Sequence, residues 1–261
     1  MRVIYLSPHA DDVTLSCGGR LWVEQARGLA PRVITVCAGI PPFTAVPPFA
    51  AVQHAKWGSP PRPMALRRAE DRAALARLGI TDVIDLDVFD AVYRVASGGR
   101  PLYGSEEGIF GDLDPVEHRR ASMIANEITR FLPAPGTGEI VAPLGVGHHV
   151  DHLLTHAVAR ALAAVGHRVL YYEEFPYAAT PARLEAALVD KPGWQAERIA
   201  LDESALAAKV AAASYYRSQI PVLFGDDLSM DRTLRAYAAK VAPPGSAYGE
   251  RFWYPGPEGG A

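Results

Sequence analysis

The sequence predicts one α/β domain whose mostly parallel sheet is covered by helices on both faces. Segments of strand-like composition alternate with segments that repeat apolar residues at helical spacing, and this alternation is typical of doubly wound parallel sheets. The strand-like runs are also too apolar to leave one face in water, as expected for strands that are buried on both faces. With 261 residues, of which 49% are hydrophobic and 21% charged, the chain can build the large core that such a sheet requires.

The first half of the chain supplies the predicted central strands. The run RVIYLS at residues 2–7 is rich in β-branched and aromatic residues and predicts a buried parallel strand. Two amphipathic segments end at Gly28 and Gly79, and glycine is a common helix C-cap. The predicted strands are residues 2–7, 32–39 and 83–88, and the predicted helices are residues 13–28 and 65–80.

The second half continues the alternation and then loosens. An aspartate followed by proline, Asp114 and Pro115, is typical of a helix start. After residue 176 the elements become shorter, and we interpret them as additions to the same domain. The predicted strands are residues 139–144, 168–175 and 197–201, and the predicted helices are residues 114–132, 151–166, 180–189 and 202–219.

Two long segments and the tail show no periodicity. Residues 40–63 and 95–113 are rich in proline, glycine and aromatic residues. Since long loops in compact domains are usually functional, we expect both to wall a substrate cleft. We expect residues 1–261 to form a single domain, with an irregular tail from about residue 242 whose last residues are disordered.

Composition disfavours several classes of partner. The net charge of -3 and a pI near 6.2 provide no attraction for nucleic acid or anionic membranes, and no apolar run approaches the length of a membrane span. The cysteines, Cys17 and Cys37, form no paired motif, and MRVIYLSP enters a strand directly rather than a signal peptide. We therefore expect a cytoplasmic protein, and nothing in the sequence indicates a particular oligomeric state.

A polar cluster follows the first predicted strand. The stretch LSPHADDVTLSCGG, residues 6–19, places His9, Asp11 and Asp12 where ligands bind in open α/β sheets, beyond the carboxyl end of a strand. Taken alone, the cluster has an equally good structural explanation. An aspartate could cap the next helix while the histidine fills a niche in the core.

A second cluster at the same predicted sheet edge favours a metal site. The stretch GVGHHVDH, residues 145–152, brings His149 and His152 onto one face of a starting helix, three positions apart. One histidine from each cluster together with a carboxylate supplies three nitrogen and oxygen ligands. This set suits Zn²⁺ with a fourth position open to water, and Fe²⁺ can occupy similar sites.

The two motifs together resemble a known enzyme family. SPHADDVTLSCGG combined with HHVDH is similar to the PIG-L-like (LmbE-like) zinc-dependent N-deacetylases, which remove acetyl groups from N-acetylglucosamine units and have a Rossmann-like fold. The resemblance extends over about residues 2–225, through RRAEDRAALARLGI, LDVFDAVYR and YYEEFPYA. It implies a hydrolase that acts on a small amino sugar or glycoconjugate.

The resemblance assigns roles to the clustered residues. It implies that His9, Asp12 and His152 are the zinc ligands and that Asp11 is the general base. These roles agree with the chemistry of amide hydrolysis, because a metal polarises the carbonyl and activates water while an unbound carboxylate takes the proton.

Two further residues complete the implied catalytic set. His149 would face the developing oxyanion as a cationic imidazole. Asp151 would raise the basicity of His149 or orient His152.

The motifs depart from the family pattern at four positions. Ala10 stands where the family usually has proline, and Val13 where it usually has glutamate. Neither is a metal ligand in the family, so we expect metal binding to be retained. Gly147 and His148 stand where several relatives have an aromatic residue followed by glycine, and His148 has two open interpretations, a catalytic substitute or a solvated loop histidine.

The resemblance also implies the substrate contacts. Arg67 or Arg68, together with Asp90, occupy positions where the family holds sugar hydroxyls, and Tyr93 and Arg94 would belong to the same wall. A carboxylate opposite a guanidinium suits the paired donors and acceptors of a pyranose. For each arginine alone, an ion pair on the solvent face of the helix is an equally good explanation.

Three other functions differ from this interpretation in features that can be checked. A nucleotide-binding oxidoreductase would carry a G-x-G-x-x-G turn after the first strand, where this chain has His-Ala-Asp-Asp. A catalytically inactive carbohydrate-binding protein would bind no zinc. A related amidase would cleave a larger acyl group from an amino-sugar or thiol conjugate, and the identity of the released acid distinguishes it from a deacetylase.

Overall fold

The computed structural model describes residues 2–42 and 46–256, and over these residues the predicted α/β class is confirmed. A seven-stranded sheet has the order β3-β2-β1-β4-β5-β7-β6. The first five strands are parallel, and β7 pairs antiparallel with both β5 and β6. The strands are β1 Arg2–Ser7, β2 Arg32–Thr35, β3 Val83–Asp85, β4 Gly138–Pro143, β5 Arg168–Tyr172, β6 Gln195–Leu201 and β7 Tyr248–Tyr254.

Helices cover both faces of the sheet. The predicted start of α5 is confirmed, since the Asp114 carboxylate accepts a hydrogen bond from Val116 N at 3.0 Å and Pro115 is the first helical residue. The helices in the described ranges are α1 Asp12–Ala26, α2 Pro48–Lys56, α3 Pro63–Arg77, α4 Glu106–Ile109, α5 Pro115–Ile128, α6 Val150–Ala164, α7 Pro181–Leu188, α8 Glu203–Ala213, α9 Ile220–Leu223 and α10 Asp227–Lys240.

The core lies on both faces of the central strands. Along β1, Ile4 and Leu6 pack into a cluster with residues of α5 and α6, while Val3 and Tyr5 pack into a second cluster with residues of α1 and α8. Successive residues of a strand point to opposite faces, and helices cover both faces of β1, so all four side chains are buried. This two-sided burial explains why the strand carries no polar alternation.

The sheet register brings the two polar clusters together. β1 pairs in parallel with β4, and Tyr5 lies opposite Val141. The strands therefore end side by side, and the chain continues into the two clusters at the same edge. The strand order reverses between β1 and β4, which is the position where open α/β sheets form their ligand crevice.

The prediction of an irregular tail from residue 242 is wrong. Residues Tyr248–Tyr254 form β7, which pairs along its whole length with β6. The Glu250 carboxylate also accepts hydrogen bonds from the backbone nitrogens of Gly19 and Arg20 and from the Lys209 ammonium group. These contacts attach the strand to the first helix. The expectation of disorder at the end of the tail falls on residues 257–261, outside the described residues.

Other element boundaries also differ from the predictions. The segment 40–63 contains α2, and residues 226–241, for which no element was predicted, contain α10. The helix predicted over residues 202–219 ends at Ala213, and a turn separates it from α9. Among the helices of the described ranges, none has the length and apolar character that a membrane crossing requires.

Candidate active site

A cavity of about 350 Å³ lies at the carboxyl edge of the sheet, directly over the ends of β1 and β4. Its floor carries side chains from both predicted clusters. Both long segments contribute to its walls, as expected: Gln53, Lys56 and Trp57 come from the first, and Glu106, Ile109 and Phe110 from the second.

The chain turn after β1 is held by its own polar groups. The Ser7 hydroxyl accepts a hydrogen bond from Val13 N, and the Asp12 carboxylate accepts one from His9 N at 2.8 Å. Asp11 occupies the N-cap position of α1, but its side chain makes no capping hydrogen bond. Helix capping therefore does not explain why an aspartate stands at position 11.

The Asp12 carboxylate lies between two imidazoles from different parts of the chain. Its Oδ2 atom is 3.2 Å from His9 Nδ1 and 3.3 Å from His152 Nε2. All three side chains are buried. Burial alone would raise the pKa of Asp12, but His152 and His9 hold it well below its usual value. The aspartate is thus ionised, with two nitrogen atoms directed at the same oxygen.

His9 is oriented by Asp151. The Nε2 atom of His9 donates to Asp151 Oδ2 at 2.9 Å, which leaves Nδ1 facing Asp12. Asp151 is fully buried and also accepts hydrogen bonds from Ala91 N at 2.9 Å and from the Arg94 guanidinium. The Asp151 carboxylate thus bonds to the histidine of the other cluster and does not orient His152, while its negative charge opposes the lowering of the His149 pKa by burial, in the direction that the first of the two expected roles requires.

His152 is oriented by a residue for which no role was predicted. Glu174 Oε1 lies 3.4 Å from His152 Nδ1, so Nε2 is the atom that faces Asp12. The Glu174 carboxylate is itself held by hydrogen bonds from Gly145 N at 2.7 Å and Val146 N at 3.0 Å. In the sequence, the signal for this role was the acidic pair Glu173-Glu174, which follows the fifth strand at the same edge of the sheet.

The His149 ring accepts a hydrogen bond from the backbone, which indicates a neutral imidazole. It caps α6, and its Nδ1 atom accepts a hydrogen bond from Asp151 N at 3.2 Å, so the ring proton is on Nε2. Burial and the neighbouring imidazole of His9 hold the pKa of His149 well below its usual value. The expected cationic imidazole is therefore not what the structure shows, although a neutral ring can still donate from Nε2.

Asp11 and Asp90 share one arginine. Arg67 Nη2 lies 3.5 Å from Asp11 Oδ1, and Arg67 Nη1 lies 3.5 Å from Asp90 Oδ2. The Arg67 guanidinium also lies 5.1 Å from the centre of the Trp57 ring. Burial raises the pKa of Asp11, and Arg67 opposes this effect. The three charged groups and the indole form one side of the cavity floor.

Three of the residues expected to contact substrate lie elsewhere. Arg68 points away from the cavity and donates to Ala38 O at 2.6 Å, since neighbouring positions on a helix face different directions. Arg94 is buried against Asp151 behind the floor. Tyr93 is buried, and its hydroxyl is 2.5 Å from His54 Nε2. Among the predicted substrate contacts, Arg67 and Asp90 line the cavity.

The unusual Gly147-His148 pair has a structural explanation. Gly147 has φ +88, and a Cβ atom there would lie 2.5 Å from Cγ of Tyr177, so the tyrosine ring occupies the space of a side chain. His148 also has a positive φ, and its ring faces the exposed Asp112 at 3.2 Å. The structure therefore directs His148 away from the cavity, and of its two interpretations the solvated loop histidine agrees with this position.

The floor residues fit a divalent metal ion. The ligand atoms of His9, His149 and His152 lie within 4.8 Å of one another, and Asp12 supplies a carboxylate oxygen beside two of them. Two outer carboxylates, Asp151 and Glu174, hold the rings with nitrogen atoms facing inward. Such carboxylate-histidine pairs are the usual outer partners of metal-binding imidazoles.

A family comparison identifies the relationship. The family described as GlcNAc-PI de-N-acetylase (PIG-L) matches residues 4–163, which is more than half of the 261 residues. The chain belongs to the PIG-L family. It is accordingly a hydrolase of a deacetylase family, which confirms the predicted enzyme class.

Named relatives of this PIG-L protein are deacetylases. The 2'-N-acetylparomamine deacetylase of Niallia circulans is 29% identical over 246 residues, covering 86% of this chain and 82% of the relative. The enzyme of the same name from Streptomyces fradiae is 29% identical, covering 99% of this chain and 91% of the relative.

Solved structures agree with this relationship. The zinc-inhibited form of a teicoplanin deacetylase superposes with a TM-score of 0.80 at 28% identity, covering 97% of each chain. The A40926 pseudoaglycone deacetylase superposes with a TM-score of 0.72 at 28% identity, covering 97% of this chain and 96% of that one. The PIG-L protein described here thus shares its whole fold with deacetylases.

Proposed function

We propose that this PIG-L protein is a zinc-dependent N-deacetylase that removes the acetyl group from an N-acetylglucosamine-type sugar or its conjugate. The observation that carries the proposal is the convergence of His9, Asp12 and His152 on one point of the cavity floor with Asp11 beside them. The activities named for its relatives, on N-acetylparomamine and teicoplanin, support a sugar-linked acetamide as the substrate.

The ligands in this proposal are His9 Nδ1, Asp12 Oδ2 and His152 Nε2. When bound, a zinc ion polarises the amide carbonyl and lowers the pKa of water to about 7. The chain's contribution is orientation. Asp151 and Glu174 take the outer nitrogen of each ring, so neither imidazole can rotate without breaking a buried contact.

Asp11 is the proton carrier in the proposal. Its carboxylate accepts a proton from the attacking water while the new C–O bond forms, and it returns that proton to the nitrogen as the C–N bond breaks. The products are acetic acid and the free amine, and transfer of the remaining proton between them gives acetate and the ammonium form at neutral pH. Arg67, at 3.5 Å, holds the carboxylate on the cavity side of the turn. The adjacent Asp12 cannot take this role, because its oxygen is already directed at two imidazoles.

His149 stabilises the developing negative charge. The hydrogen bond from Asp151 N fixes the neutral ring with its proton on Nε2. A donor that is already oriented loses no free energy to reorganisation when the carbonyl oxygen becomes negative. His149 therefore stabilises the negative oxygen through a hydrogen bond that is fixed in advance, and its ring does not need to be cationic.

Arg67 and Asp90 form the proposed sugar subsite. Asp90 uses Oδ1 to accept from Val92 N at 3.1 Å and directs Oδ2 toward Arg67 at 3.5 Å. A guanidinium that donates beside a carboxylate that accepts can hold two neighbouring hydroxyl groups of a pyranose. Trp57 adds an aromatic surface next to the same arginine.

The test compares Asp11→Asn with the wild-type protein. We expect the variant to keep its zinc content and to lose about 10²- to 10⁴-fold in kcat, measured as acetate released from N-acetylglucosamine and an N-acetylated aminoglycoside. Equal loss of zinc in Asp11→Asn would show that the roles of Asp11 and Asp12 are wrongly divided. Undiminished hydrolysis would remove Asp11 from the reaction.

A further inference from the structure

Four aromatic rings close one side of the cavity floor. Ring centroids are 5.3 Å apart for Phe110 and His149, 5.3 Å for His149 and His152, 5.7 Å for His152 and Tyr177, and 6.0 Å for Tyr177 and Phe110. Each ring therefore contacts two others, and all four line the cavity. We call this set the ring wall.

The ring wall is supported from behind. The Tyr177 ring packs against the backbone at Gly147, where even a Cβ atom would lie 2.5 Å from it, and the Arg183 guanidinium lies 5.6 Å from its centre. His149 and His152 are held by the start of α6 and by the buried Glu174. Phe110 is only partly buried and packs against the apolar cluster that includes Trp57 and Ile109. A group that reaches the wall therefore meets rings that rest on other parts of the protein.

The ring wall and the sugar subsite contact different residues of the cavity floor. Arg67 and Asp90 approach the floor through Asp11 and His9, whereas Phe110 and Tyr177 approach it through His149 and His152. An amide is planar, so its nitrogen and its acyl carbon leave the carbonyl carbon in different directions. With the sugar nitrogen on the Arg67 side, the acyl chain points toward the wall.

We propose that Phe110 and Tyr177 restrict the acyl group to acetyl, so that this protein selects its substrate by acyl length as well as by sugar. The inference rests on the proposed function, because it uses the sugar subsite to orient the amide. An acetyl methyl group ends at the ring wall. Each further methylene would have to displace a ring that is backed by protein.

A second apolar side of the cavity provides the competing path. Leu15, Phe175, Val222 and Leu223 also line it, and Val222 is 42% exposed. An acyl chain that ran toward these residues would reach the cavity mouth and could lengthen freely. The two paths therefore predict opposite dependences on acyl length.

The experiment measures kcat/KM of the zinc-loaded protein for N-acetyl-, N-propionyl- and N-butyrylglucosamine. We expect wild type to favour acetyl over butyryl by about tenfold or more, since a methylene that a pocket rejects typically changes discrimination by 10- to 200-fold. Phe110→Ala should raise the butyryl-to-acetyl ratio by at least about tenfold. Tyr177→Phe and Val222→Ala should leave that ratio unchanged, because the first keeps the ring and the second alters the other side.

Each outcome bears on the inference. Comparable rates for acetyl and butyryl in wild type, or a shift of the ratio in Val222→Ala instead of Phe110→Ala, would overturn it while leaving deacetylation established. If Phe110→Ala does not fold by circular dichroism, Phe110→Leu is measured in its place, and an unchanged ratio there counts equally against the wall. Failure of wild type to hydrolyse any of the three substrates would instead contradict the proposed function itself.

Discussion

Asp71 should make the stability of this protein fall as the pH rises. Its side chain lies on the buried face of α3, one turn beyond Arg67, and accepts hydrogen bonds from the Tyr216 hydroxyl at 2.8 Å and the Thr35 hydroxyl at 3.3 Å. Burial raises the pKa of Asp71 to about 7, and the nearby negative charge of Asp11 acts in the same direction.

The size and sign of the effect follow from this pKa. An unfolded aspartate has a pKa of about 3.9, so between pH 4 and 7 the folded chain keeps a proton that the unfolded chain has released. The stabilisation is complete below the unfolded pKa and is lost as the pH passes through 7. At about 1.4 kcal/mol for each pKa unit, the two units between pH 5 and 7 correspond to about 3 kcal/mol lost by pH 8.

Asp71→Asn tests this effect, because asparagine resembles the protonated aspartate and does not titrate. Urea unfolding of the metal-free proteins at pH 5 and pH 8 should show the variant gaining about 3 kcal/mol relative to wild type as the pH rises. Asp82→Asn is the control that should not change. Despite partial burial, Arg32 and Arg2 lower the pKa of Asp82, so this group is ionised in both the folded and the unfolded chain at pH 5 and at pH 8, and the difference in stability between this variant and wild type should be the same at both pH values. Parallel pH profiles for wild type and Asp71→Asn would refute the reasoning.

Further predictions concern the groups around the cavity floor. Glu174→Gln should weaken zinc binding by about 10- to 100-fold in a chelator competition, since His152 loses its anionic partner, and an unchanged affinity would show that Glu174 does not orient the ring. Asp90→Ala should raise KM for N-acetylglucosamine more than it lowers kcat, whereas unaltered kinetics would exclude Asp90 from the sugar subsite. Arg94→Gln leaves the buried Asp151 charge without its guanidinium and should reduce the free energy of unfolding by about 3–5 kcal/mol, so equal denaturation midpoints would contradict this pairing.

The parts of the fold that the sequence predicts are those with strong local signals. The β1 run is apolar on both faces, and it folds as the predicted central strand. In contrast, β7 pairs with β5 and β6, which both lie far back along the chain, and its glycine and charged residues obscure a strand pattern. The α10 helix has few buried positions, namely Met230, Leu234 and Ala238, so its apolar stripe is narrow.

In the candidate site, too, the local motifs are predictable from the sequence and the contacts between distant residues are not. The clusters at residues 9–12 and 149–152 are local motifs, and the parallel pairing of β1 with β4 is enough to bring them together. The partners of each imidazole depend on side-chain directions that spacing does not encode. Asp151 lies beside His149 in sequence but bonds to His9, 142 residues away. The carboxylate beside the outer nitrogen of His152, Nδ1, comes instead from Glu174, shortly after β5.

The central claim is that one metal ion is held jointly by the two clusters, and metal analysis tests it most directly. We expect purified wild-type protein incubated with Zn²⁺ and desalted to retain about one equivalent, and His152→Ala to retain almost none. His148→Ala is the matched control, because its ring is 54% exposed and faces Asp112, and it should bind zinc like wild type. Undiminished zinc in His152→Ala, or no zinc in the wild-type protein, would contradict the account.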